Sequence, residues 1–485
     1  MTIQGLDINQ QIKEIEKALK SEKNLSPTML AMIKMLMLIL IVKLLSNSKG
    51  LNSRNSSKPP STDQTGSNKK DTKSDNETNG NTDENKRNPG GINGHKGTTL
   101  KQTQNPDEIK ELEVDRSTVP AGKYTVIGYE KRQVIDISIK KVIIEYQAQV
   151  LIDENGIRYV ADFPKDVTKV VQYGNALKAH SVYMSQYQLL PYDRMREYFK
   201  NEFNIPLSAA SIYNFNRQAY NKLEPFIDIV KQNLNTAKVI HADETGVNVN
   251  GKLNWVHVNS NKYWTYLFPH KKRGYLAMEK MGVLPYFKGV LCHDHWKTYY
   301  KFIACLHALC NAHHLRELTC SYEQYGMNWA NEMLNLLLKI KKSVDESGGI
   351  LNEKESDNYT KEYRQLLTKA DLECPAPDPN KRKKGQRGRL KRSKPRNLLE
   401  RLINFESDVL RFMMDIDVPF TNNQGENDLR MTKVHQKISG CFRSFEGAQI
   451  YCRVRSYIGT CKKQGVSSSK ALRLLFDDTY TELTK

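Results

Sequence analysis

No cysteine precedes Cys292 in this chain of 485 residues, and all eight cysteines lie in its second half. Their uneven spacing in a long chain is atypical of a disulfide framework and indicates reduced thiols. The N-terminus also lacks the basic segment and apolar core that mark an export signal. Together these absences predict a cytoplasmic protein.

Long hydrophobic runs are scarce as well. The most apolar stretch, residues 29–45, is short for a membrane span and contains Lys34 and Lys43, so we expect no membrane segment. Its apolar residues recur at spacings of three and four, which predicts a helix over residues 8–45. This helix could form a coiled coil or an ordinary buried helix, because two or three heptads do not distinguish them.

Acidic residues are outnumbered, with 54 Asp and Glu against 74 Lys and Arg, which gives a formal net charge of +20. This balance favours a polyanionic partner, most commonly nucleic acid, although anionic lipid or an acidic protein would also fit. Ten of the sixteen residues from 381 to 396 are Lys or Arg. We expect this run to contact DNA phosphates, with a solvated charged loop as the alternative. The candidate contacts are Lys383, Lys384, Arg387 and Arg389.

The first half of the chain changes composition several times. Residues 46–105 are almost free of large apolar side chains and predict a disordered linker. Residues 107–163 carry alternating β-rich runs, for example at 133–139 and 141–150, and predict a small β module.

A pair of short helices is predicted next, at residues 193–203 and 208–220, with Ser208 placed to cap the second. The spacing fits a helix-turn-helix, although any helical hairpin looks similar. As a helix-turn-helix, its second helix would present Arg217 to a DNA groove, together with Ser211, Tyr213 and Asn214.

An α/β pattern follows. Strands are predicted at residues 237–243, 253–259, 262–268, 288–293 and 306–310, with a helix at 274–286 between the third and the fourth. A three-strand meander, a crossover helix and further strands are the chain order of a ribonuclease H-like mixed sheet. Helices are predicted again at 327–372 and from 398 onward, so the fold class is α/β with a helical insertion.

Two aspartates stand at the ends of strands in this core. Asp243 lies in HADET at the predicted end of the first strand, and Asp294 lies in HDHW just past the fourth. Neighbouring strands would bring these carboxylates together, and Glu426, at the start of a later helix, could join them. Three clustered carboxylates repel one another unless cations lie between them, and oxygen ligands suit Mg²⁺ or Mn²⁺. Two such ions about 4 Å apart would support phosphodiester displacement.

The helix that carries Glu426 also carries cations. Arg430 and Lys433 follow at i+4 and i+7, on the same face, and Lys437 lies one turn further along. A carboxylate that holds metal beside cations that hold phosphate suits DNA strand transfer. An ordinary surface ion-pair stripe would have the same spacing. We prefer the first interpretation because of the two strand-end aspartates.

Long motifs occur in a fixed order: HADETGVNVNGKLNWVHV, KGVLCHDHWKTY, HALCNAHHLREL and VPFTNNQGENDLR, followed by KISGCFRSFEGA. They resemble the DDE transposase domain of the insertion sequence 66 family. Two segments of the linker, NSSKPPSTD and GGINGHKG, together with residues 171–195, resemble the N-terminal half of that family. The likeness therefore extends over nearly the whole chain.

The resemblance implies a ribonuclease H-like fold, two Mg²⁺ or Mn²⁺ ions, and Asp243, Asp294 and Glu426 as the catalytic triad. The expected reaction is cleavage at the terminal inverted repeats of a mobile element, followed by attack of the 3′-hydroxyls on target DNA. Bringing two ends together implies a homo-oligomer. The resemblance also implies accessory proteins from the same element and a place at the nucleoid of a bacterial cytoplasm.

The chain departs from this family at one point. The family's N-terminal half usually contains a small cysteine-based zinc module, where this chain has residues 107–163 and no cysteine. We therefore expect the β module without zinc.

A C-x2-H pair, Cys310 and His313, resembles an element that lies beside the active site of several DDE transposases. We interpret the pair, with His241, as structural support of the core; zinc binding by Cys310 and His313 is the less favoured alternative, because four ligands at the usual spacing are not evident.

Two other functions fit parts of the sequence. His241, His293 and His295 could ligate zinc in a metallohydrolase, although this would not explain Glu426 or the basic run. A non-catalytic DNA-binding protein derived from a transposase is the second alternative, and the intact Asp, Asp and Glu argue against it.

These patterns divide the chain into eight regions. They are an N-terminal helix (1–50), a linker (51–106), the β module (107–165), a helical DNA-binding region (166–234), the first part of the core (235–325), a helical and basic insertion (326–400), the second part of the core (401–465) and a C-terminal helix (466–485).

Overall fold

The computed structural model describes residues 2–3, 6–7, 33, 35, 100–137, 139–378 and 390–480. Two short strands, β1 (Thr2–Ile3) and β2 (Leu6–Asp7), pair antiparallel, and Ile33 and Met35 are helical. The rest of the predicted N-terminal helix and the linker up to residue 99 lie outside the described residues, as do Lys383, Lys384, Arg387 and Arg389. In the described part of the chain, no helix combines the length and the apolarity needed to cross a membrane.

Residues 100–137 and 139–162 belong to a unit separate from the larger one. Its described part contains one antiparallel hairpin, β3 (Val150–Ile152) and β4 (Arg158–Val160), closed by a turn at Gly156. The strands predicted at 133–139 and 141–150 are not formed, apart from Val150. Their apolar side chains stay exposed, for example Val134 at 91% and Ile143 at 82%. Without a second layer to bury them, alternating apolar residues do not stabilise a sheet.

A group of helices precedes the sheet of the larger unit. These helices are α1 (Asn175–Val182), which continues into a π-helical turn (Tyr183–Tyr187), α2 (Tyr192–Phe203), α3 (Ala209–Lys222) and α4 (Glu224–Asn235). The predicted helix pair is confirmed within two residues. Asn204 ends α2 in the left-handed conformation, and the Ser208 hydroxyl accepts a hydrogen bond from the Ser211 amide at 3.0 Å to start α3.

The sheet has five strands in the order β7-β6-β5-β8-β9. The strands are β5 (Val239–Val249), β6 (Lys252–Ser260), β7 (Thr265–His270), β8 (Val290–His293) and β9 (Leu306–Leu309), with α5 (Tyr275–Met281) between β7 and β8. The first three are antiparallel, whereas β5, β8 and β9 run parallel. The predicted meander, crossover helix and further strands are therefore present.

Helices complete the larger unit. They are α6 (Asn311–Tyr325), α7 (Asn328–Glu346), α8 (Glu353–Glu373), α9 (Lys394–Asn404), α10 (Glu406–Leu410), α11 (Asn423–Ser439), α12 (Phe445–Lys463) and α13 (Ser468–Phe476). Helices α7 to α10 share a core around Trp329, Tyr363 and Leu399. These helices lie in the chain between Asp294 and Glu426, where the sequence predicts a helical and basic insertion over residues 326–400.

The outer edge of β7 is covered by α12. The Ser456 hydroxyl accepts a hydrogen bond from the Leu267 amide at 2.8 Å, and the Thr460 hydroxyl accepts one from the Thr265 amide at 3.0 Å. These bonds satisfy strand amides that would otherwise be free to pair with another chain. At the middle of the sheet, β5 pairs with β6 on one side and with β8 on the other.

Candidate functional site

Asp243 lies on β5, but not at its end. The prediction that the first strand ends at Asp243 was wrong, because β5 continues to Val249 and pairs with β6 across a tight turn. Asn250 and Gly251 in that turn both have positive φ angles, 47° and 77°, which suit a two-residue hairpin. The antiparallel hairpin therefore extends the strand six residues beyond the aspartate.

The positions of Asp243 and Asp294 follow from the parallel pairing of β5 with β8. His241 pairs with Cys292 as the last pair of that ladder, and each aspartate comes two residues later, Asp243 within β5 and Asp294 directly after β8. Both carboxylates therefore lie at the point where the two strands separate, on the same face. The predicted convergence of the two aspartates depends on this register. The Asp294 carboxylate also accepts a hydrogen bond from the Trp296 amide at 3.0 Å, which orders the loop after β8.

Glu426 lies in the first turn of α11, as predicted. Gly425 packs against the sheet so closely that a Cβ at this position would lie 3.5 Å from the Cβ of Asp243 and 3.3 Å from the amide of Asn422. The distance to Asp243 is an ordinary van der Waals contact, so the start of α11 packs directly on β5. Because Glu426 comes next, its carboxylate enters the same neighbourhood.

The pKa of Asp243 reflects its burial and the acidic residues around it. Burial raises the pKa of its carboxyl well above the usual range, and the negative charges of Glu244, Asp294 and Glu426 raise it further. One carboxylate oxygen accepts a hydrogen bond from the Glu244 amide at 2.8 Å, which opposes these effects. Three neighbouring carboxylates thus act on Asp243.

Asn422 joins α11 to the sheet and was not predicted from the sequence. Its side chain is buried; the amide nitrogen donates to the Ala242 carbonyl at 2.9 Å, and the oxygen lies 2.8 Å from Nδ1 of His241. Its backbone amide donates to Sγ of Cys310 at 3.1 Å. The one signal in the sequence was its place in NNQGENDLR, directly before the helix of Glu426. His241 and Cys310, predicted as structural support, are therefore both partners of one asparagine.

The opposite face of β5 holds a second acidic group, Glu244, that the sequence interpretation did not single out. Its carboxylate is almost fully buried and accepts two hydrogen bonds from Arg273, at 2.6 and 2.8 Å, and one from the Tyr299 hydroxyl. The Arg273 guanidinium stacks between Trp296, at 4.2 Å from the ring centroid, and Trp255, at 4.9 Å. This carboxylate is satisfied by protein groups alone.

The predicted phosphate contacts on α11 share one exposed face. Arg430, Lys433 and Lys437 follow Glu426 on the same helix, and all three are exposed. The Lys433 ammonium donates to the Gly246 carbonyl at 3.3 Å and lines an open cleft of about 750 Å³. Glu426 and the three cations therefore lie along one face of α11.

The other predicted DNA contacts are more dispersed. Arg217 is exposed on α3 and lies 3.5 Å from Glu446, in the first turn of α12. Of the basic run, the described Arg396 is buried and forms ion pairs with Asp371 and Glu400, so it stabilises the helical insertion.

Of the three histidines that could form a zinc hydrolase site, His293 is not available to a metal ion. His293 is fully buried; its Nε2 lies 3.1 Å from Nδ1 of His307, and its Nδ1 accepts a hydrogen bond from the His295 amide. Both ring nitrogens are therefore used, and none remains for a metal ion. His241 uses Nδ1 to contact Asn422. Cys310 and His313, in contrast, lie beside Glu426, with Nδ1 of His313 3.8 Å from the Glu426 carboxylate.

Comparison with known proteins agrees with the motifs. No curated protein matches the chain. Residues 170–450, more than half of the sequence, match the family described as Transposase IS66 family, and the match contains the whole sheet together with Asp243, Asp294 and Glu426. The chain belongs to the Transposase IS66 family.

Proposed function

We propose that this transposase-family protein cuts and joins DNA at the ends of a mobile element, with Asp243, Asp294 and Glu426 as ligands of two divalent ions, Mg²⁺ or Mn²⁺. The observation that carries the proposal is geometric: β5 and β8 stop pairing two residues before Asp243 and Asp294, and the first turn of α11, which contains Glu426, packs against Asp243. The charges of Asp294 and Glu426 are among the causes that raise the pKa of Asp243, after burial and Glu244. Repulsion among neighbouring carboxylates destabilises the folded state, and a bound cation would offset that repulsion.

The residues fit a divalent ion with oxygen ligands. Among the described residues, neither Asp243 nor Asp294 forms a salt bridge, whereas Glu244 on the other face of the same strand has Arg273. A buried carboxylate oxygen of Glu426 has no hydrogen-bond partner. When bound, two such ions would neutralise the carboxylates, polarise a phosphodiester and stabilise its leaving oxygen.

The chain's own groups would place the DNA. Arg430, Lys433 and Lys437 lie on the exposed face of α11 that begins at Glu426, so phosphates held by these cations would run past the carboxylates. Asn422 and Gly425 would fix the first turn of this helix against β5. The formal net charge of +20 favours the same polyanionic substrate.

The strand order supports assignment of the core to the ribonuclease H-like folds. Three antiparallel strands are followed by two strands parallel to the first, in the spatial order third, second, first, fourth, fifth. In such a sheet the first and fourth strands are neighbours, which places their carboxylates together. The helical insertion between Asp294 and Glu426 would then lie in the chain between the second and third catalytic residues.

Recognition of the element's ends is the remaining part of the proposal. Helices α2 and α3 have the spacing of a helix-turn-helix, and terminal inverted repeats would be their ligand. Arg217 would have to exchange its contact with Glu446 for a DNA phosphate or base. Joining two ends requires a homo-oligomer, and accessory proteins of the same element would assist it.

The test is metal-dependent cleavage of a labelled duplex that carries an inverted repeat from the DNA flanking the gene. We expect the full chain to expose a 3′-hydroxyl at the repeat with Mg²⁺ or Mn²⁺, and Asp243→Asn, Asp294→Asn and Glu426→Gln to lose this activity. Glu279→Gln, at an exposed position on α5, is the matched control and should cleave normally. Equal cleavage by the wild type and Asp243→Asn would refute the proposed triad.

A further inference from the structure

Three side chains with different donor atoms meet beside the carboxylate cluster. Cys310 precedes the first residue of α6, His313 lies in its first turn, and Glu426 lies in the first turn of α11. The sulfur, one ring nitrogen and one carboxylate oxygen all lie within 4.8 Å of one another. Two separate helices therefore direct a thiol, an imidazole and a carboxylate toward one point.

Two of these atoms lack hydrogen-bond partners. Nδ1 of His313 and Oε1 of Glu426 are both buried, and neither forms a hydrogen bond within the described part of the chain. They lie 3.8 Å apart, too far for a hydrogen bond to each other. A buried polar atom without a partner destabilises a fold, so two adjacent ones need an explanation. A ligand between them would provide it.

The sulfur of Cys310 is held in place beside these two atoms. Sγ of Cys310 is buried and accepts a hydrogen bond from the Asn422 amide at 3.1 Å. Hydrogen bonds from backbone amides stabilise a thiolate, and in metal sites such bonds orient the ligands. A sulfur, a nitrogen and one carboxylate oxygen suit Zn²⁺ and other thiophilic ions, whereas Mg²⁺ prefers oxygen ligands only.

We propose that Cys310, His313 and Glu426 form a site for one thiophilic divalent ion, with zinc as the natural occupant and water as the fourth ligand. Three protein ligands and one open position are a common arrangement for bound zinc. Cys310 would bind as the thiolate and lose its proton to solvent on metal binding. This site differs from a site for Mg²⁺ in its donor atoms, although the two would share Glu426.

Arg316 opposes the ion. Its guanidinium lies 3.9 Å from the same Glu426 oxygen that faces His313. The arginine therefore acts as the counter-ion of Glu426 when metal is absent and repels a divalent ion that approaches. We expect Arg316→Gln to tighten metal binding, whereas removal of a ligand weakens it.

Sharing Glu426 has a consequence that rests on the proposed function. An ion held by Cys310 and His313 would compete with the catalytic ions for Glu426, since Oε1 is within reach of His313. Zinc would then inhibit DNA cleavage in the presence of Mg²⁺, and Cys310→Ser would relieve the inhibition. The binding site itself requires no DNA chemistry.

The test uses Co²⁺ as a spectroscopic probe of the reduced, full-length, metal-free protein. One equivalent of Co²⁺ should give the near-ultraviolet absorption of a thiolate–cobalt bond, and one equivalent of Zn²⁺ should remove it while excess Mg²⁺ does not. Cys310→Ser should lose the band, and His313→Gln should weaken Co²⁺ binding at least about tenfold. Cys320→Ser, on the same helix but outside the cluster, is the matched control and should keep the band.

Two outcomes would overturn the site: no thiolate band in the wild type, or an unchanged band in Cys310→Ser. Thermal unfolding of each variant separates lost ligands from lost folding, and Arg316→Gln, which removes no ligand, should bind Co²⁺ more tightly. Asp243→Asn keeps the failures of the two proposals apart. If it cleaves DNA normally while the band is present, the proposed function fails and the zinc site stands.

Discussion

Two neighbouring carboxylates, Asp243 and Glu244, lie on opposite faces of β5 in contrasting surroundings. Glu244 is buried with an arginine and a tyrosine hydroxyl that satisfy its charge. Asp243 is half-buried; burial raises its pKa well above the usual range, and the charges of Glu244, Asp294 and Glu426 raise it further. Burial raises the pKa of Glu244 as well, but Arg273 and Tyr299 bind its carboxylate, whereas Asp243 accepts its hydrogen bond from a backbone amide and forms no salt bridge among the described residues.

The contrast shows how one strand can carry a structural residue and a candidate metal ligand at consecutive positions. Consecutive side chains of a strand point to opposite faces of the sheet. One residue can therefore stabilise the packing on one face while the next remains free to bind a ligand on the other. The Arg273 guanidinium lies between two tryptophan rings and fixes Glu244 in place. We therefore expect removal of the Asp243 carboxylate to act mainly on activity and removal of the Glu244 carboxylate to act mainly on stability.

The largest expected effect is on DNA cleavage. Asp243→Asn should reduce metal-dependent cleavage by about 10³-fold or more, because an amide cannot replace a charged ligand at the centre of the cluster. The measurement is the single-turnover rate on inverted-repeat DNA with Mg²⁺. If Glu244→Gln lowered the rate as strongly while its folding was intact, the division between the two faces would be wrong.

The second effect is on stability. Glu244→Ala leaves Arg273 and the Tyr299 hydroxyl without their acceptor, and we expect a loss of about 3 kcal/mol in the free energy of unfolding. Denaturant unfolding measures it, and Glu279→Ala at an exposed position should change little. Glu244→Gln should cost less, because an amide oxygen still accepts from Tyr299. A loss below about 1 kcal/mol for Glu244→Ala would contradict a bracing role.

The third effect concerns the attachment of α11 to the sheet. Asn422→Ala removes two buried hydrogen bonds, to Ala242 and to His241, and should cost about 2 kcal/mol. It should also weaken cleavage, since the first turn of α11 would no longer be held beside Asp243. Asn423→Ala, at the exposed neighbouring position, is the control for both denaturant unfolding and cleavage. Equal stability of the two variants would show that Asn422 does not anchor the helix.

Much of the sheet could be predicted because its signals are local. Most strand ends lie within about three residues of the predicted positions, since alternating apolar residues and turn residues act over short distances. The end of β5 was missed because the continuation depends on the hairpin with β6. The strands expected at 133–139 and 141–150 did not form, because alternation alone supplies no layer to pack against.

The site was predictable only in part. Motifs and strand position located Asp243 and Asp294, but no local pattern says which carboxylate of the Asp243–Glu244 pair faces the other acids. The contacts of Asn422 with Ala242 and His241 span about 180 residues of sequence and follow only from the packing of α11 on β5. Glu426 beside Cys310 and His313 is likewise a product of tertiary structure.

The smallest effect tests the cost of the Asp243 face directly. Because the folded-state pKa of Asp243 is raised above the value of about 4 for an unfolded chain, the carboxyl favours folding fully below pH 4. That contribution is lost as pH rises through the folded-state pKa. In chelator at neutral pH, Asp243→Asn should therefore unfold at a higher temperature than the wild type, by about 2 °C for roughly 1 kcal/mol. The difference in unfolding temperature should vanish in acid. At neutral pH, Mn²⁺ should stabilise the wild type more than the variant.

The opposite result in chelator at neutral pH would contradict this account. If Asp243→Asn were less stable than the wild type there, the Asp243 carboxylate would have satisfactory partners, as Glu244 has, and the two faces of β5 would not differ.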